Sequence, residues 1–372
     1  MIKTYDQFWD RLQHAYPISK GKFRLPISTH LLDMEEGFYE EFEKNIISLT
    51  QQAIQVFSDK KISSQIMEQN EESFLIPYID EAFTGIIRWD CVITEKNEVK
   101  VLELNADYPD GLLLHDATYN VLTDDTDLYH TDLYLKLFEY KDDILVLYPK
   151  ESVFVDAYHT EYLALKQAWK RAHIGHPEDI IIKDKKVYIW DNQIRYIKRC
   201  MEIWKLGAEF FDKMKDVDVW YINSFSLRAF GYKNSLSYLD HPYILKTTHI
   251  SDTDLDHIRS SKDDFVLKPS NLFEGKNVFL GKDTQHHVRE AILHTYKDQN
   301  YVVQEFAQMS TVPRSFYDDG DIIHREVYFD ICPHVFIDQG NIIGIWHTLT
   351  RYSTSKILNV ALGGGIGYLA RK

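Results

Sequence analysis

The sequence predicts a mixed architecture, α+β with a central α/β unit, and three patterns carry that reading. A long stretch near the N-terminus has apolar residues at helical spacing, a pair of strand-like runs joined by a polar turn follows it, and a middle segment alternates strand-like with helical patterns. With 372 residues and 44% hydrophobic content, the chain can bury a sizeable core in more than one layered unit.

In chain order, MEEGFYEEFEKNIISLTQQAIQVF (about 34–58) reads as one amphipathic helix. GIIRWDCVIT (85–94) and VKVLELN (99–105) read as a hairpin turned through Glu95, Lys96, Asn97 and Glu98, and YPDG (108–111) as a further turn. The central α/β unit spans 144–223: a buried strand in ILVLYP, a helix over 159–173, two short strands in DIIIKDKKVYI, a helix over 200–215 and a strand in VDVWYIN. It separates an N-terminal segment, 1–143, from a C-terminal portion, 224–372. In the latter, SLSYL (235–239) continues a short helix, and FVLKP (265–269) and KNVFLG (276–281) are strands around a loop. A helix over 284–299 leads into the strand YVVQEF (301–306), and 324–338 and 341–353 are sheet-like. The GGGIG run at 363–367 lacks the strand–turn–helix setting of a dinucleotide fingerprint and is read as a mobile lid or tail.

Charge and composition narrow the function. A net charge of -15 disfavours nucleic acid and anionic membrane as partners, so any anion pocket must gather Lys and Arg against the global field. Cys91, Cys200 and Cys332 are far apart with no CxxC spacing, which argues against zinc or a disulfide framework and for a reducing cytoplasm, with Cys91 and Cys332 as buried thiols. MIKTYDQFWDRLQHAYPI has no continuous apolar core of a signal peptide, and no window reaches the length of a membrane span. The 16 His include no HExxH; His286-His287 reads as a solvated helix start, and His324 and His334 as packed or surface strand residues.

Three stretches carry chemistry. Side chains two apart on a strand share a face, so Arg88 pairs with Asp90 and Glu103 with Asn105, and a hairpin can bring both pairs to one spot. Two carboxylates and an amide oxygen suit Mg2+, and an adjacent guanidinium suits a phosphoryl or acyl phosphate oxygen. The flanking GIIRWDCVI and VKVLELNA embed these groups among buried-type residues, where an uncompensated charge is costly. Asp107 and Asp110 follow; Asp110 reads as a turn residue, and Asp107 is open between ligand, substrate contact and turn. In FVLKPSNLFEGKNVFLG (265–281) a strand delivers Lys268 as a point charge for phosphate, and a loop with Gly275 offers backbone N–H groups; there is no Walker A. VVQEF (302–306) ends an apolar strand as an adenine slot would, with a carboxylate in reach of a ribose hydroxyl.

Taken in order, RWD…LELNAD, the central α/β segment, INSFSLRAFGYKNSLSYLDHPYIL, FVLKPSNLFEGKNV and VVQEF resemble ATP-grasp enzymes, and within them the synthetase domain of the glutathionylspermidine synthase family, over about 85–352. The resemblance implies an ATP-grasp fold in circularly permuted order, metal ligands ahead of nucleotide lysines, with a central pre-ATP-grasp-like subdomain. It also implies ATP and two Mg2+ ions as cofactors. Asp90, Glu103 and Asn105 would then ligate metal, and Arg88 would stabilise the phosphoryl group and intermediate. Lys233 and Lys268 would be the nucleotide lysines, with Lys246 competing for the first role. Gly275 would lie in the phosphate-covering loop, Gln304, Glu305, Phe306 and Ala307 would line adenine and ribose, and Arg351 would face the substrate pocket. Phe273-Glu274-Gly275 replaces the family's Arg-Glu-Gly, Tyr108-Pro109 replaces its Thr-Pro, and no amidase domain is apparent, which puts the substrate in doubt more than the ATP chemistry.

The expected reaction is activation of a carboxylate as an acyl phosphate and its capture by an amine. Capture by a carrier-protein thiol or peptide is one alternative, and a nucleotide-binding scaffold without turnover is another. Oligomeric state is open.

Overall fold

The run Gly85–Ile93 is apolar at nearly every position, and such a strand needs cover on both faces. The computed structural model supplies that cover. It describes residues 4–15, 26–79, 83–109, 112–124, 133, 136–137, 143–150, 171–201, 203–272, 276–285, 290, 294–295, 300–318, 321–346, 348–358 and 364–370.

The N-terminal part runs α1 (Tyr5–Ala15), β1 (Ile27–Ser28), α2 (Phe38–Phe57), α3 (Lys60–Gln69), β2 (Gly85–Ile93), β3 (Val99–Asn105) and α4 (Leu112–Thr123). The middle part runs β4 (Ile144–Leu147), β5 (Ala172–Gly175), β6 (Ile180–Lys183), β7 (Lys186–Ile189), β8 (Asn192–Ile194), β9 (Tyr196–Arg199), α5 (Ile203–Met214) and β10 (Trp220–Ile222). The C-terminal part runs β11 (Thr247–His249), α6 (Leu255–Ser260), β12 (Phe265–Pro269), β13 (Phe279–Leu280), β14 (Tyr301–Glu305), β15 (Thr311–Asp318), β16 (Asp321–Cys332), β17 (His334–Asp338), β18 (Asn341–Ile345), β19 (Leu349–Ser353) and β20 (Gly365–Tyr368).

Both ends of the chain build the largest sheet. Its path among the described residues is β15-β1-β20-β19-β16-β2-β17-β18, with β3 on β2 and a further β15–β16 pairing that returns the path to its start. β16 and β17 lie end to end along β2, pairing Asp330 with Val92 and His334 with Arg88, and the Pro333 carbonyl between them accepts from the Trp89 N–H at 3.1 Å.

Alternation on β2 divides the core. Ile87, Trp89 and Cys91 join Ile331 and Val335 in one cluster, packed against Ile46, Leu49 and Ala53 of α2. The Trp89 indole N–H, buried with its ring, finds the Thr50 hydroxyl at 2.9 Å. Ile86, on the other face, joins Phe336, Leu349 and Tyr368, packed against Phe8 of α1 and Ala117 of α4. Arg88 and Asp90 belong to this second face.

The middle part forms a parallel sheet in the order β10-β9-β4-β5, and β6-β7-β8 form a small antiparallel sheet. A fourth sheet, β11-β14-β12-β13, stands beside β3. Bridges from Val101 to Ile244 and from Thr94 to Met309 join its flanks to the β2–β3 hairpin. None of the described helices is long and apolar enough to cross a membrane.

Several expectations need correction. The C-terminal glycines are no lid: Gly365–Tyr368 is the buried strand β20, between β1 and β19. A Cβ on Gly365 would come within 2.8 Å of Phe316, and one on Gly367 within 2.8 Å of Ser28, so glycine here serves close packing. The short helix at 235–239 is a 3-10 segment over Lys233–Tyr238, and α5 is interrupted at Gly207, whose φ of 72° breaks the helical path. In 276–281 only Phe279–Leu280 pairs as strand. Ala172 and His173 belong to β5 and not to the preceding helix, of which 159–170 lie outside the described residues. Most of 284–299 lies outside them too, as do Asp110, Phe273, Glu274, Gly275, His286 and His287.

Candidate active site: a cationic cleft beside the β2–β3 hairpin

The hairpin register sets Arg88 opposite Asn105 and Asp90 opposite Glu103, with an irregularity after Asp90. All four side chains therefore start from one face of the sheet. Asp90 is fully buried, and its two oxygens are taken: Oδ1 accepts from Arg88 Nε at 2.7 Å, and Oδ2 accepts from Arg88 Nη2 at 3.0 Å, Asn105 Nδ2 at 3.0 Å and Arg351 Nη2 at 2.7 Å. Burial works to raise the Asp90 pKa, but Arg351 and Arg88 outweigh it and hold the carboxyl well below the usual range. Asp90 is thus ionised at neutral pH. Glu103 is half-buried and reaches Lys233 Nζ at 3.3 Å.

Arg351, on β19, also grips Asp330 on β16, a cross-strand pair in the register. Asp330 is fully buried and accepts from the Arg351 backbone N–H at 3.0 Å, from Nε at 3.0 Å and from the Cys332 thiol at 3.2 Å. Burial pushes Asp330 upward while Arg351 opposes it. The sequence reading missed Asp330. Its signal was the lone acid in the apolar run VYFDICPHVF, the same pattern that drew attention to Asp90.

Lys233 opens its 3-10 segment where the backbone N–H binds the Ser270 carbonyl at 3.1 Å, and its Nζ donates to the Leu272 carbonyl at 2.6 Å. Lys268, on β12, is buried; its Nζ donates to Gln304 Oε1 at 2.7 Å and to the Leu102 carbonyl at 3.3 Å. Burial lowers Lys268 to about 8, with Lys233 adding to the fall and Glu103 and Asp90 resisting it. Gln304 passes the network on to Thr247, its Nε2 donating at 3.1 Å.

These side chains open onto one cleft. Asp90, Glu103, Lys233, Lys268 and Arg351 are its charged lining beside β2 and β3. Leu102, Val266, Leu280, Met309 and Leu358 add apolar wall, together with Gln304, Glu305, Phe306 and Ala307 where β14 ends. Lys356 stands at the mouth, 5.9 Å over the Phe306 ring and paired with Asp283 at 2.9 Å. The lining cations Lys233, Lys268, Arg351 and Lys356 exceed the lining acids Asp90, Glu103 and Glu305 by one, so the cleft gathers positive charge within a chain of net charge -15. An anionic ligand that also presents apolar surface fits this mixed lining.

The structure brings together Asp90, Glu103, Lys233, Lys268, Gln304, Glu305, Phe306, Ala307 and Arg351, with Arg88 and Asn105 bonded to Asp90 behind them. Gly275 lies outside the described residues. Lys246 is exposed on the far side of its strand pairing with Glu305 and does not line the cleft. Asp107 faces away from the cleft, paired in the interior with Arg199 at 2.5 Å and, more loosely, with Arg228 at 4.0 Å. Cys91, Cys200 and Cys332 are buried free thiols.

The donors suit a hard divalent cation. Asp90, Glu103 and Asn105 start from one face of adjacent strands, with the Asn105 amide nitrogen now turned to Asp90, and the Glu103 carboxylate opens onto the cleft. A cation reaching Asp90 must displace one of the nitrogen donors now on Oδ2.

No family model and no curated protein matches the sequence. Among solved structures the chain is similar to a glutathione synthetase-like effector (GSS30) from Globodera pallida in its apo form, with a TM-score of 0.65, at 11% identity over 98% of this chain and 97% of that chain. The chain has a glutathione synthetase-like fold. It is a mixed α/β fold, and at 11% identity the likeness concerns the fold alone.

Proposed function

We propose that the chain is an ATP- and Mg2+-dependent ligase of the ATP-grasp type, of the permuted glutathionylspermidine synthase-like branch, that joins a carboxylate to an amine. One observation supports this above the others: a single cleft gathers Lys233, Lys268, Glu103, Asp90, Arg351 and the β14 end, from segments up to about 260 residues apart, together with an apolar wall, a lining that suits the phosphates and base of a nucleotide.

In this reading adenine lies against the apolar wall of Leu102, Val266, Leu280, Met309 and Leu358, and Glu305 faces the ribose. Lys233 and Lys268 exchange their present carbonyl and amide partners for phosphate oxygens. Mg2+, when held by Asp90, Glu103 and Asn105, supplies charge neutralisation of the phosphates. The substrate carboxylate attacks the γ-phosphorus in line, the bond to the β-bridging oxygen breaks and ADP leaves. A neutral amine then attacks the acyl carbon, phosphate leaves with the mixed-anhydride oxygen, and the amine loses a proton. Arg88 and Arg351 stabilise the charge at the transferring group.

The occupied state of Asp90, whose oxygens accept from the nitrogens of Arg88, Asn105 and Arg351, favours a second reading: a nucleotide-binding scaffold without turnover. The neighbouring effector fold is compatible with either reading. Titration calorimetry with ATP and Mg2+, followed by ADP release across a panel of carboxylates and amines, separates them. Binding with acceptor-dependent ADP release supports the ligase, binding without release supports the scaffold, and absence of ATP binding eliminates both.

A further inference from the structure

We infer that Asp330 anchors Arg351 so that the guanidinium serves as a displaceable stand-in for a divalent cation at Asp90. The inference rests on the metal role proposed for Asp90 and deepens it.

The geometry is asymmetric. Arg351 gives Asp90 one nitrogen, Nη2, at 2.7 Å, and shares that nitrogen with Asp330 Oδ2. To Asp330 it gives in addition Nε, at 3.0 Å and 3.3 Å from the two oxygens, and its backbone N–H at 3.0 Å. The Cys332 thiol at 3.2 Å fixes the Asp330 oxygen that receives the backbone bond. Asp330 meets these donors and no solvent. Loss of the Asp90 contact thus leaves Arg351 ion-paired and hydrogen-bonded in place. Arg88, by contrast, spends Nε and Nη2 on Asp90, its one ion-pair partner among the described residues, so its departure would strand a half-buried charge.

Two buried carboxylates this close need a cation between them, and Arg351 provides it when no metal is present. When a cation arrives, the exchange costs Arg351 one shared contact, and the site never passes through a state with Asp90 unpaired. Removing the Asp330 charge would leave Asp90 as the sole carboxylate on Arg351, tightening the very contact that a cation must break.

Opposite signs from two variants test this. Mn2+ uptake in the presence of a non-hydrolysable ATP analogue is read from the free Mn2+ paramagnetic resonance signal, with no turnover involved. Asp330→Asn is expected to weaken Mn2+ binding by about tenfold, the scale of one charge-assisted hydrogen bond. Arg351→Gln, which removes the stand-in, is expected to strengthen it, and this second variant keeps the test alive if Asp330→Asn does not fold. Unchanged or tighter Mn2+ binding in Asp330→Asn, or weaker binding in Arg351→Gln, overturns the inference while leaving the proposed ligase intact. Absence of Mn2+ uptake by the wild-type chain overturns both.

Discussion

Lys268 and Gln304, on the paired strands β12 and β14, are joined by a 2.7 Å hydrogen bond from Nζ to Oε1 inside the cleft wall. The amide holds the ammonium in a buried place where no carboxylate among the described residues bonds it directly, and this is why the charge is easily lost.

The cleft should therefore bind nucleotide in a pH-dependent way. Burial sets Lys268 at about 8, below the ordinary lysine value, so the free cleft loses this charge as pH rises through that point. A triphosphate binds the protonated form, and above pH 8 binding must bring a proton with it. ATP affinity, measured by calorimetry, is expected to be flat below about pH 7 and to fall by up to about tenfold per pH unit above 8. Lys268→Met should abolish the slope together with most of the affinity; a slope that survives the substitution assigns it elsewhere.

The ion pair of Asp107 with Arg199 carries a stability prediction. Both groups are buried, and Arg199 also donates to the Met201 carbonyl at 2.9 Å and to the Asp107 carbonyl at 3.1 Å, tying the end of β9 to the segment after β3. Among the described residues, Arg199→Met leaves Asp107 with the distant Arg228 as its one cation, and it should cost about 3–5 kcal/mol in urea unfolding. Adding Asp107→Asn should restore part of the loss, a non-additivity that an ordinary packing defect would not show.

Gly367 makes a steric prediction. A Cβ there would lie 2.8 Å from Ser28 and 2.9 Å from the Tyr352 ring, both on neighbouring strands. Gly367→Val is expected to destabilise by about 1–3 kcal/mol through overpacking and to lower Tm in calorimetry. An unchanged Tm would mean that β20 is not seated between β1 and β19.

The thiols should be silent in the folded protein. Cys91 and Cys332 are fully buried, and burial together with nearby Asp90 and Asp330 keeps both thiols protonated far above neutral pH; Cys200 is buried as well. A colorimetric thiol reagent should report no rapid reaction in buffer and all three groups in guanidinium.

The hairpin was legible because strand side chains alternate: Arg88-x-Asp90 and Glu103-x-Asn105 announce a shared face without knowledge of the rest of the fold. The strands over 265–269 and 301–305 and the long N-terminal helix were legible from apolar period in the same way. What remained hidden depends on pairing over distance. Nothing local in FDIC and LTRYS says that Asp330 will face Arg351, because that register is set by the whole sheet. Glycine misled at 365–367 because the property that loosens a chain in solution also lets Phe316, Ser28 and Tyr352 close in around a buried strand. The Lys233–Tyr238 segment reads as helical by composition and takes the tighter 3-10 path, where side chains of the Asn234 and Ser270 network fix it.

During synthesis, the position of β2 poses a timing problem. Residues 85–93 leave the ribosome well before the strands at 321–338 that will cover their open edge. An apolar strand waiting that long for its neighbours is an aggregation hazard. Arg88 and Asp90 interrupt the run at its centre, where a charge disfavours strand-to-strand self-association. The same two charges thus bear on the cleft of the folded chain and on the solubility of the strand before it is covered.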